Sequence, residues 1–144
     1  MTQLSPHFTL AELTVSEVAA RRGLSNMPPD DILPALTRTA QGLEAVRAVL
    51  GKPIIVTSGY RSPAVNRLVG GQPSSQHMKG EAADFICPQF GSPAEIVAAL
   101  VKSAVQYDQC ILEFNRWVHI SFAPAFRRMA LIIDANGTRP YSAG

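Results

Sequence analysis

Apolar residues in the first third of the chain recur at helical spacing. Between Ile32 and Leu50 they occupy positions 32, 33, 36, 43, 46, 49 and 50, and Gly51 follows at once. A stripe with this period is typical of an amphipathic helix, and a glycine directly after the last apolar residue is typical of a helix end. The pattern therefore predicts a helix over 32–50.

The segment before this helix carries start signals of its own. Thr9 is followed three residues later by Glu12, which is a capping-box pattern, and Phe8 and Leu13 stand where a hydrophobic staple would join them. A helix is therefore expected to start at Thr9, and a second short helix is expected to end at Gly23.

The rest of the chain alternates strand-like and helix-like segments. A serine followed by proline, typical of a helix start, occurs at 62–63 and again at 92–93. Segments rich in β-branched and apolar residues predict strands over 54–56, 82–87, 110–115, 117–122 and 127–134, followed by a polar tail. Because helices come first and strands mixed with helices follow, we expect one α+β domain over 1–144. Its sheet should be mainly antiparallel, with flanking helices.

Composition narrows the possible partners. The 144 residues are 47% hydrophobic and 17% charged, with a net charge of +2 and no basic run. Electrostatics therefore give no support to nucleic-acid or membrane-surface binding, and no apolar stretch reaches the roughly 18 residues of a membrane span. The N-terminus lacks a signal-peptide pattern, so we expect the chain to be cytoplasmic as synthesised. We also expect a monomer. Cys87 and Cys110 are expected to be buried free thiols, with a bridge left as an alternative.

Candidate metal ligands lie in two separate segments. The stretch 74–85, "SSQHMKGEAADF", holds His77 and, seven positions on, Asp84. In the strand predicted over 117–122, alternation places His119 on the face opposite the apolar residues. Two imidazoles and one carboxylate leave a fourth tetrahedral position open, which is the arrangement of a catalytic zinc. Taken alone, each residue also fits a simpler role, as a hydrogen-bonded histidine or a turn aspartate.

The same stretches resemble those of a known family. "SSQHMKGEAAD" resembles the Ser-x-His-x(6)-Asp motif of the zinc D-Ala-D-Ala carboxypeptidases and related wall-peptide hydrolases, which include phage endolysins. "SGYRSPAVNRLVGG" before it and "WVHISF" after it resemble the other two segments of that family, in the same order. The resemblance runs from Phe8 to about Phe122. It implies a hedgehog-like DD-peptidase fold that binds one zinc ion through His77, Asp84 and His119.

The resemblance also implies substrate-binding and catalytic positions. Arg61 falls on a substrate arginine, where a planar guanidinium can hold a peptide carbonyl and stabilise an oxyanion. Ser75 falls on a substrate-contacting position. Several relatives have an acidic general base three residues before the last histidine, but Arg116 stands there in this chain. Glu113 is the nearest carboxylate and is our candidate base, with Asp108 as the alternative.

The number of residues in the hairpin loop decides whether Glu113 can act as the general base. In a hairpin with a two-residue loop, Glu113 would pair with Val118 and lie on the face away from the site. With a three-residue loop it would pair with Trp117 and share the face of His119. Asn115 tolerates a left-handed conformation, and no Asn-Gly pair favours the shorter turn. We therefore predict the odd-length loop, with Glu113 facing the metal site.

These features together predict a zinc peptidase that hydrolyses stem-peptide bonds of peptidoglycan. The resemblance implies either a D-Ala-D-Ala carboxypeptidase or an endolysin-type endopeptidase, including the L,D type. Such an enzyme would act on the cell wall after release or as part of a phage particle. The alternative is a metal-binding structural or assembly domain of a phage particle without turnover, which Arg116 at the acidic position favours.

Overall fold

The computed structural model describes residues 2–142, which form five α-helices and two β-sheets. The helices are α1 (Leu10–Leu13), α2 (Glu17–Arg22), α3 (Leu33–Leu50), α4 (Pro63–Leu68) and α5 (Pro93–Lys102). The strands are β1 (Gln3–Ser5), β2 (Phe8–Thr9), β3 (Ile55–Ser58), β4 (Ala82–Ile86), β5 (Gln109–Glu113), β6 (Trp117–Ser121), β7 (Met129–Asp134) and β8 (Gly137–Pro140). Two 3₁₀ turns complete the set, at Asp30–Ile32 and Gln76–Lys79.

The predicted helix boundaries rest on local capping, and the structure confirms them closely. Thr9 and Glu12 make both hydrogen bonds of a capping box, and Ser92 and Glu95 do the same at the start of α5. The long helix α3 ends at Gly51, which adopts the left-handed conformation with φ of 67°. It begins one residue later than predicted, because the preceding residues form a 3₁₀ turn.

The main sheet has the order β3-β4-β6-β5-β7-β8. Each neighbouring pair is antiparallel except β5 with β7, which run parallel. The expectation of an α+β fold with a mainly antiparallel sheet and flanking helices is therefore confirmed.

Two parts of the sheet arrangement differ from the sequence expectation. The tail was expected to be polar, but Gly137–Pro140 forms β8, the outermost strand, whose four residues are all exposed. An edge strand held by backbone bonds and by the surface pair of Arg139 with Asp134 needs no apolar pattern, so hydropathy does not reveal it. The small sheet of β1 and β2 before α1 was likewise not predicted.

The two faces of the main sheet differ sharply. One face packs against α3 and α5 and forms the core, with Phe85, Val118, Leu112, Ile120 and Cys110 all buried. The other face carries the polar side chains of the candidate site. The free thiols expected at Cys87 and Cys110 are observed, and both are buried. Within residues 2–142, no helix combines the length and the apolar character that a membrane span requires.

Candidate metal centre and active-site cleft

Two neighbouring strands bring a carboxylate and an imidazole together. In the antiparallel pair of β4 and β6, Asp84 lies directly opposite His119. Residues opposed in this way share a face, so both side chains point to the polar side of the sheet. His119 Nδ1 lies 2.9 Å from Asp84 Oδ1, and both residues are buried.

The second imidazole comes from a turn rather than a strand. Ser75 caps the 3₁₀ turn Gln76–Lys79, because its Oγ accepts a hydrogen bond from the backbone N–H of His77 at 3.2 Å. His77 Nδ1 lies 2.7 Å from the carbonyl oxygen of Gly59. A carbonyl can only accept, so Nδ1 carries the proton and Nε2 is left with a free lone pair. Nε2 lies 3.2 Å from Asp84 Oδ1.

The Gly59 carbonyl is itself held by a close backbone contact. A Cβ atom at Gly59 would lie 2.2 Å from the carbonyl oxygen of Leu13, and the Tyr60 N–H donates to that same oxygen at 2.7 Å. A side chain at this position would push β3 away from α1. Glycine therefore allows the close backbone contact that points the Gly59 carbonyl toward His77. Backbone partners of this kind fix the tautomer and orientation of a ligating histidine.

The three donor atoms fit a single metal ion. His77 Nε2, Asp84 Oδ1 and His119 Nδ1 all lie within 4.8 Å of one another, and the two rings are 5.0 Å apart between centroids. Ligands at zinc distances of about 2.0–2.1 Å lie about 3.3 Å from each other in a tetrahedron, close to the observed 2.9 and 3.2 Å. Two nitrogen donors and one oxygen donor also match the chemistry that zinc prefers. The predicted convergence of these residues is what the fold shows.

The electrostatics of the cluster favour the ligating protonation states. Burial acts to raise the pKa of the Asp84 carboxyl, but the adjacent imidazoles of His119 and His77 outweigh burial and hold that pKa well below its ordinary value. Burial lowers the pKa of His77, although the Asp84 carboxylate opposes the change. An ionised carboxylate and a neutral imidazole are the forms that bind metal.

Arg61 enters the same cleft from the loop after β3. Its Nε donates to Ser58 Oγ at 3.3 Å, its Nη1 donates to Asn66 Oδ1 at 3.1 Å, and its Nη2 lies 3.6 Å from Asp84 Oδ2. The side chain is largely buried, and the guanidinium stands beside the three donor atoms. Arg61 can therefore contact a ligand held at the metal position.

Glu113 lies on the site face, as the odd-length loop requires. It pairs with Trp117, so the loop is the three residues 114–116, and Phe114 and Asn115 both have positive φ (53° and 55°). Glu113 Oε1 lies 3.9 Å from His119 Nδ1. Burial raises the pKa of the Glu113 carboxyl above its ordinary value, and the Asp84 carboxylate adds to the rise while His119 and Arg61 oppose it. A carboxylate of raised pKa is suited to accept a proton near neutral pH.

Asp108, the alternative base, is not free to act. Arg127 holds its carboxylate with two hydrogen bonds of 2.8 Å, and Gln76 Nε2 donates a third at 2.8 Å. Its side chain is 1% exposed. Hydrogen bonds from Arg127 keep the pKa of Asp108 well below its ordinary value. Asp108 is therefore a saturated structural carboxylate, and the structure does not support it as a base. Arg116 is exposed in the turn, where its N–H donates to the Glu113 carbonyl.

The site opens into a cleft of about 940 Å³. Its apolar lining residues are Phe114, Trp117, Ile111 and Ile133, with the Phe114 and Trp117 rings 5.8 Å apart. Its polar lining residues include Ser74, Ser75, Gln76, Lys79 and Arg127, together with the candidate ligands, Arg61 and Glu113. A lining of both kinds suits a ligand that carries apolar and polar groups, such as a peptide.

Comparison with known proteins gives the chain a family. The family model described as Peptidase M15 matches residues 6–121, a range that contains every candidate site residue. This chain belongs to the peptidase M15 family. The zinc D-Ala-D-Ala carboxypeptidase of Streptomyces albus G is 41% identical to it over 63 residues. That match covers 43% of this chain and 23% of the relative, so the chain spans well under two thirds of that protein.

Sequence reasoning missed several residues that shape the site of this M15 chain. Asn66 is buried beside Arg61, although a polar residue in a short helix gives the impression of a surface position. Gln76 and Arg127 were not assigned partners, and both bind Asp108. The spacing of the sequence carries no signal for these contacts, because they join residues 19 and 32 positions apart or depend on the path of a loop. Trp117 was placed on the site face, but its part in the apolar lining of the cleft was not foreseen.

Proposed function

We propose that this protein is a zinc-dependent peptidase that hydrolyses stem-peptide bonds of peptidoglycan. One observation carries the proposal. Three metal donors, a guanidinium and a carboxylate of raised pKa line one cleft of about 940 Å³. Membership of the peptidase M15 family and the likeness to a zinc carboxypeptidase support the same reaction.

His77, Asp84 and His119 would hold the ion. Zinc in such a site supplies Lewis acidity toward a peptide carbonyl and toward a water molecule. Glu113 takes a proton from the attacking water as the C–O bond forms, and it then delivers that proton to the leaving amine as the C–N bond breaks. Its position is set by the three-residue loop, which turns the carboxylate toward His119.

Arg61 orients the substrate and stabilises developing charge. Its guanidinium is held by Ser58 at Nε and by Asn66 at Nη1, with Nη2 3.6 Å from Asp84, and the remaining N–H groups are left for a peptide oxygen. A fixed donor needs little reorganisation when negative charge grows on that oxygen, which is the basis of oxyanion stabilisation. Ser75 is proposed to contact the substrate from the cleft wall, in addition to capping the turn that carries His77.

The finer assignment follows the family resemblance. We propose a hedgehog-like DD-peptidase fold and cleavage of a bond involving a D-amino acid, either at the chain end, as in a D,D-carboxypeptidase, or internally, as in an endolysin-type or L,D-endopeptidase. The protein would act as a monomer on the cell wall, after release from the cell or as part of a phage particle. Arg116 at the acidic position favoured a particle domain without enzymatic activity. Glu113 weakens that alternative, because it supplies a carboxylate from the neighbouring strand.

Digestion of purified muropeptides, followed by mass spectrometry, tests the proposal. The protein loaded with zinc should release either a terminal D-amino acid or two peptide fragments, and the product masses separate the two types of peptidase. A chelator should abolish release, and added zinc should restore it. His119→Ala is the matched control, because it should lose metal and activity together and lose stability only through the lost metal. A zinc-loaded protein that leaves all muropeptides intact would support the structural domain instead.

A further inference from the structure

Asn66 is a buried polar residue whose contacts converge on the active-site cleft. It lies in α4 and is 3% exposed. Its Oδ1 accepts a hydrogen bond from Arg61 Nη1 at 3.1 Å, and its Nδ2 donates to the carbonyl oxygen of Gln72 at 2.9 Å. Its own carbonyl oxygen accepts from the Gly71 N–H at 2.9 Å. A single asparagine thus joins Arg61 to the loop that forms one wall of the cleft.

The amide of Asn66 is suited to this task in a way that its isosteres are not. One end must accept from a guanidinium, and the other must donate to a backbone carbonyl. An amide provides both functions, a carboxylate provides the first alone, and leucine provides neither. The amide orientation follows from these two partners, since the reverse orientation would set Nδ2 against Arg61 and Oδ1 against the Gln72 carbonyl.

Gly71 supplies the space that the amide occupies. A Cβ atom there would lie 2.1 Å from Asn66 Oδ1 and 2.9 Å from Arg61 Nη1. Gly71 is not among the residues of positive φ, so its backbone conformation is one that alanine can adopt. Space, rather than backbone conformation, is therefore the reason that a side chain does not fit at this position.

We propose that Asn66 is a positioning residue for Arg61 and that Gly71 is glycine in order to admit it. Asn66 fixes the rotation of the guanidinium, so that the free N–H groups of Arg61 meet the substrate oxygen without a search over rotamers. The inference rests on the proposed function for its consequence in catalysis, but the fixation of Arg61 can be measured in the absence of any substrate.

The first test observes the guanidinium directly. A guanidinium that is held in place gives separate NMR signals for its two Nη groups, whereas a freely rotating one gives averaged signals. The Arg61 signals, assigned by their loss in Arg61→Met, should be separate in the wild type and averaged in Asn66→Ala. Asn66→Asp, which keeps the acceptor, should retain separate signals. Separate Arg61 signals in a folded Asn66→Ala protein would overturn the proposal, whatever the activity of the wild type.

The second test uses Gly71→Ala, which leaves Asn66 in the chain. Its Cβ should displace the amide, average the Arg61 signals and lower kcat/KM by about 10–100-fold, the scale of a catalytic group moved by about 1 Å. Gly51→Ala is the stability control. It places alanine at a left-handed position with φ of 67° and nothing within 4 Å of the new Cβ, far from the cleft. It should lower the melting temperature without changing the Arg61 signals. Separate signals and wild-type kcat/KM in Gly71→Ala would refute the assigned role of Gly71.

A double-mutant cycle then separates positioning from a general structural effect. Asn66→Ala should lower kcat/KM by about 10–100-fold in the wild-type background. In the Arg61→Met background the same change should alter kcat/KM by less than about twofold, since Asn66 acts through Arg61. Zinc affinity should be the same in Asn66→Ala as in the wild type, and the same in the double variant as in Arg61→Met. Effects that multiply across the cycle would contradict the proposal. If instead the wild type hydrolyses no muropeptide, the proposed function fails, and the NMR result still decides the role of Asn66.

Discussion

Two buried aspartates lie close to the main sheet, Asp84 within β4 and Asp108 directly before β5, and they differ in their partners. Asp84 is 7% exposed and contacts two imidazoles, at 2.9 and 3.2 Å. Asp108 is 1% exposed and contacts the guanidinium of Arg127 through two hydrogen bonds of 2.8 Å. In both cases the polar partners hold the pKa of the carboxyl well below its ordinary value. Burial and pKa therefore do not distinguish the two residues.

The difference lies in whether the partner can give up its proton. An imidazole can be neutral at physiological pH and offer a lone pair, so the Asp84 cluster can hold a cation in place of protons. A guanidinium stays charged in proteins, so Asp108 is neutralised permanently and has nothing to offer a metal. A buried carboxylate among histidines is a candidate ligand, whereas the same carboxylate clamped by arginine is a structural element. Asp108 even supports the site, because Gln76, which it binds, precedes His77.

The largest effect expected from this comparison concerns zinc binding. Asp84→Asn removes the anionic metal donor. Loss of a residue that merely hydrogen-bonds to a metal ligand lowers metal affinity by about 10–100-fold, and loss of the donor itself should lower zinc affinity by more than that. Hydrolysis should be lost with it. Asp108→Asn is the matched control and should retain zinc, although it loses stability. Chelator competition measures both affinities. Equal loss of zinc in the two variants would show that the two aspartates do not differ as argued.

The second effect separates the proposed base from the ligands. Glu113→Gln keeps the size and the hydrogen-bonding capacity of the side chain but cannot take up a proton. Zinc affinity and melting temperature should stay close to those of the wild type, while kcat should fall by about 10²–10⁴-fold, the usual contribution of a general base. Steady-state kinetics with zinc quantified in the same sample provide the measurement. Wild-type turnover in this variant would remove Glu113 from the mechanism.

Much of the site could be predicted because its determinants are local or periodic. Capping residues identify the helix starts at Thr9 and Ser92, and strand alternation places His119 on the polar face. The parity of one hairpin loop sufficed to bring Glu113 to that face. His77 and Asp84 were candidate ligands from their residue types before the resemblance supported them, Arg61 was assigned by resemblance, and the fold brings all three together. Their roles in binding and catalysis stay predictions.

The contacts that could not be predicted all depend on loops or on distant partners. His77 lies in a stretch predicted as a polar loop, and its position depends on a 3₁₀ turn held by Ser75 and by the carbonyl of Gly59. The pairing of Asp108 with Arg127 joins the start of β5 to the loop before β7. Asp108 was a candidate base in the sequence because no neighbouring residue indicates that its carboxylate is already bound by a guanidinium.

The third prediction concerns stability and tests the structural half of the comparison. Arg127→Met leaves Asp108 buried with Gln76 as its remaining side-chain partner. The free energy of unfolding should fall clearly, because a buried carboxylate loses its cationic partner, although the 49% exposure of Arg127 limits the loss. Arg139→Met breaks a pair of equal length, 2.8 Å, whose partner Asp134 is partly exposed, and should cost much less, because solvent screens such a pair. Denaturant unfolding compares the two, and equal losses would contradict the assigned role of Asp108.

The smallest effect is a dependence of stability on pH. Because the pKa of Asp108 is lower in the folded protein than the about 3.9 of an unfolded aspartate, ionisation favours the folded state. The stabilisation is fully present above about pH 5 and is lost as pH falls through the folded-state pKa. Asp108→Asn lacks this titration. The difference in unfolding free energy between wild type and Asp108→Asn should therefore shrink as pH is lowered from about 5 toward about 2. Both proteins are measured with zinc removed, so that the titration of Asp84 is common to them and cancels. A difference that stays constant over this range would mean that Asp108 keeps an ordinary pKa in the fold, and pKa would then distinguish the two aspartates, contrary to the comparison above.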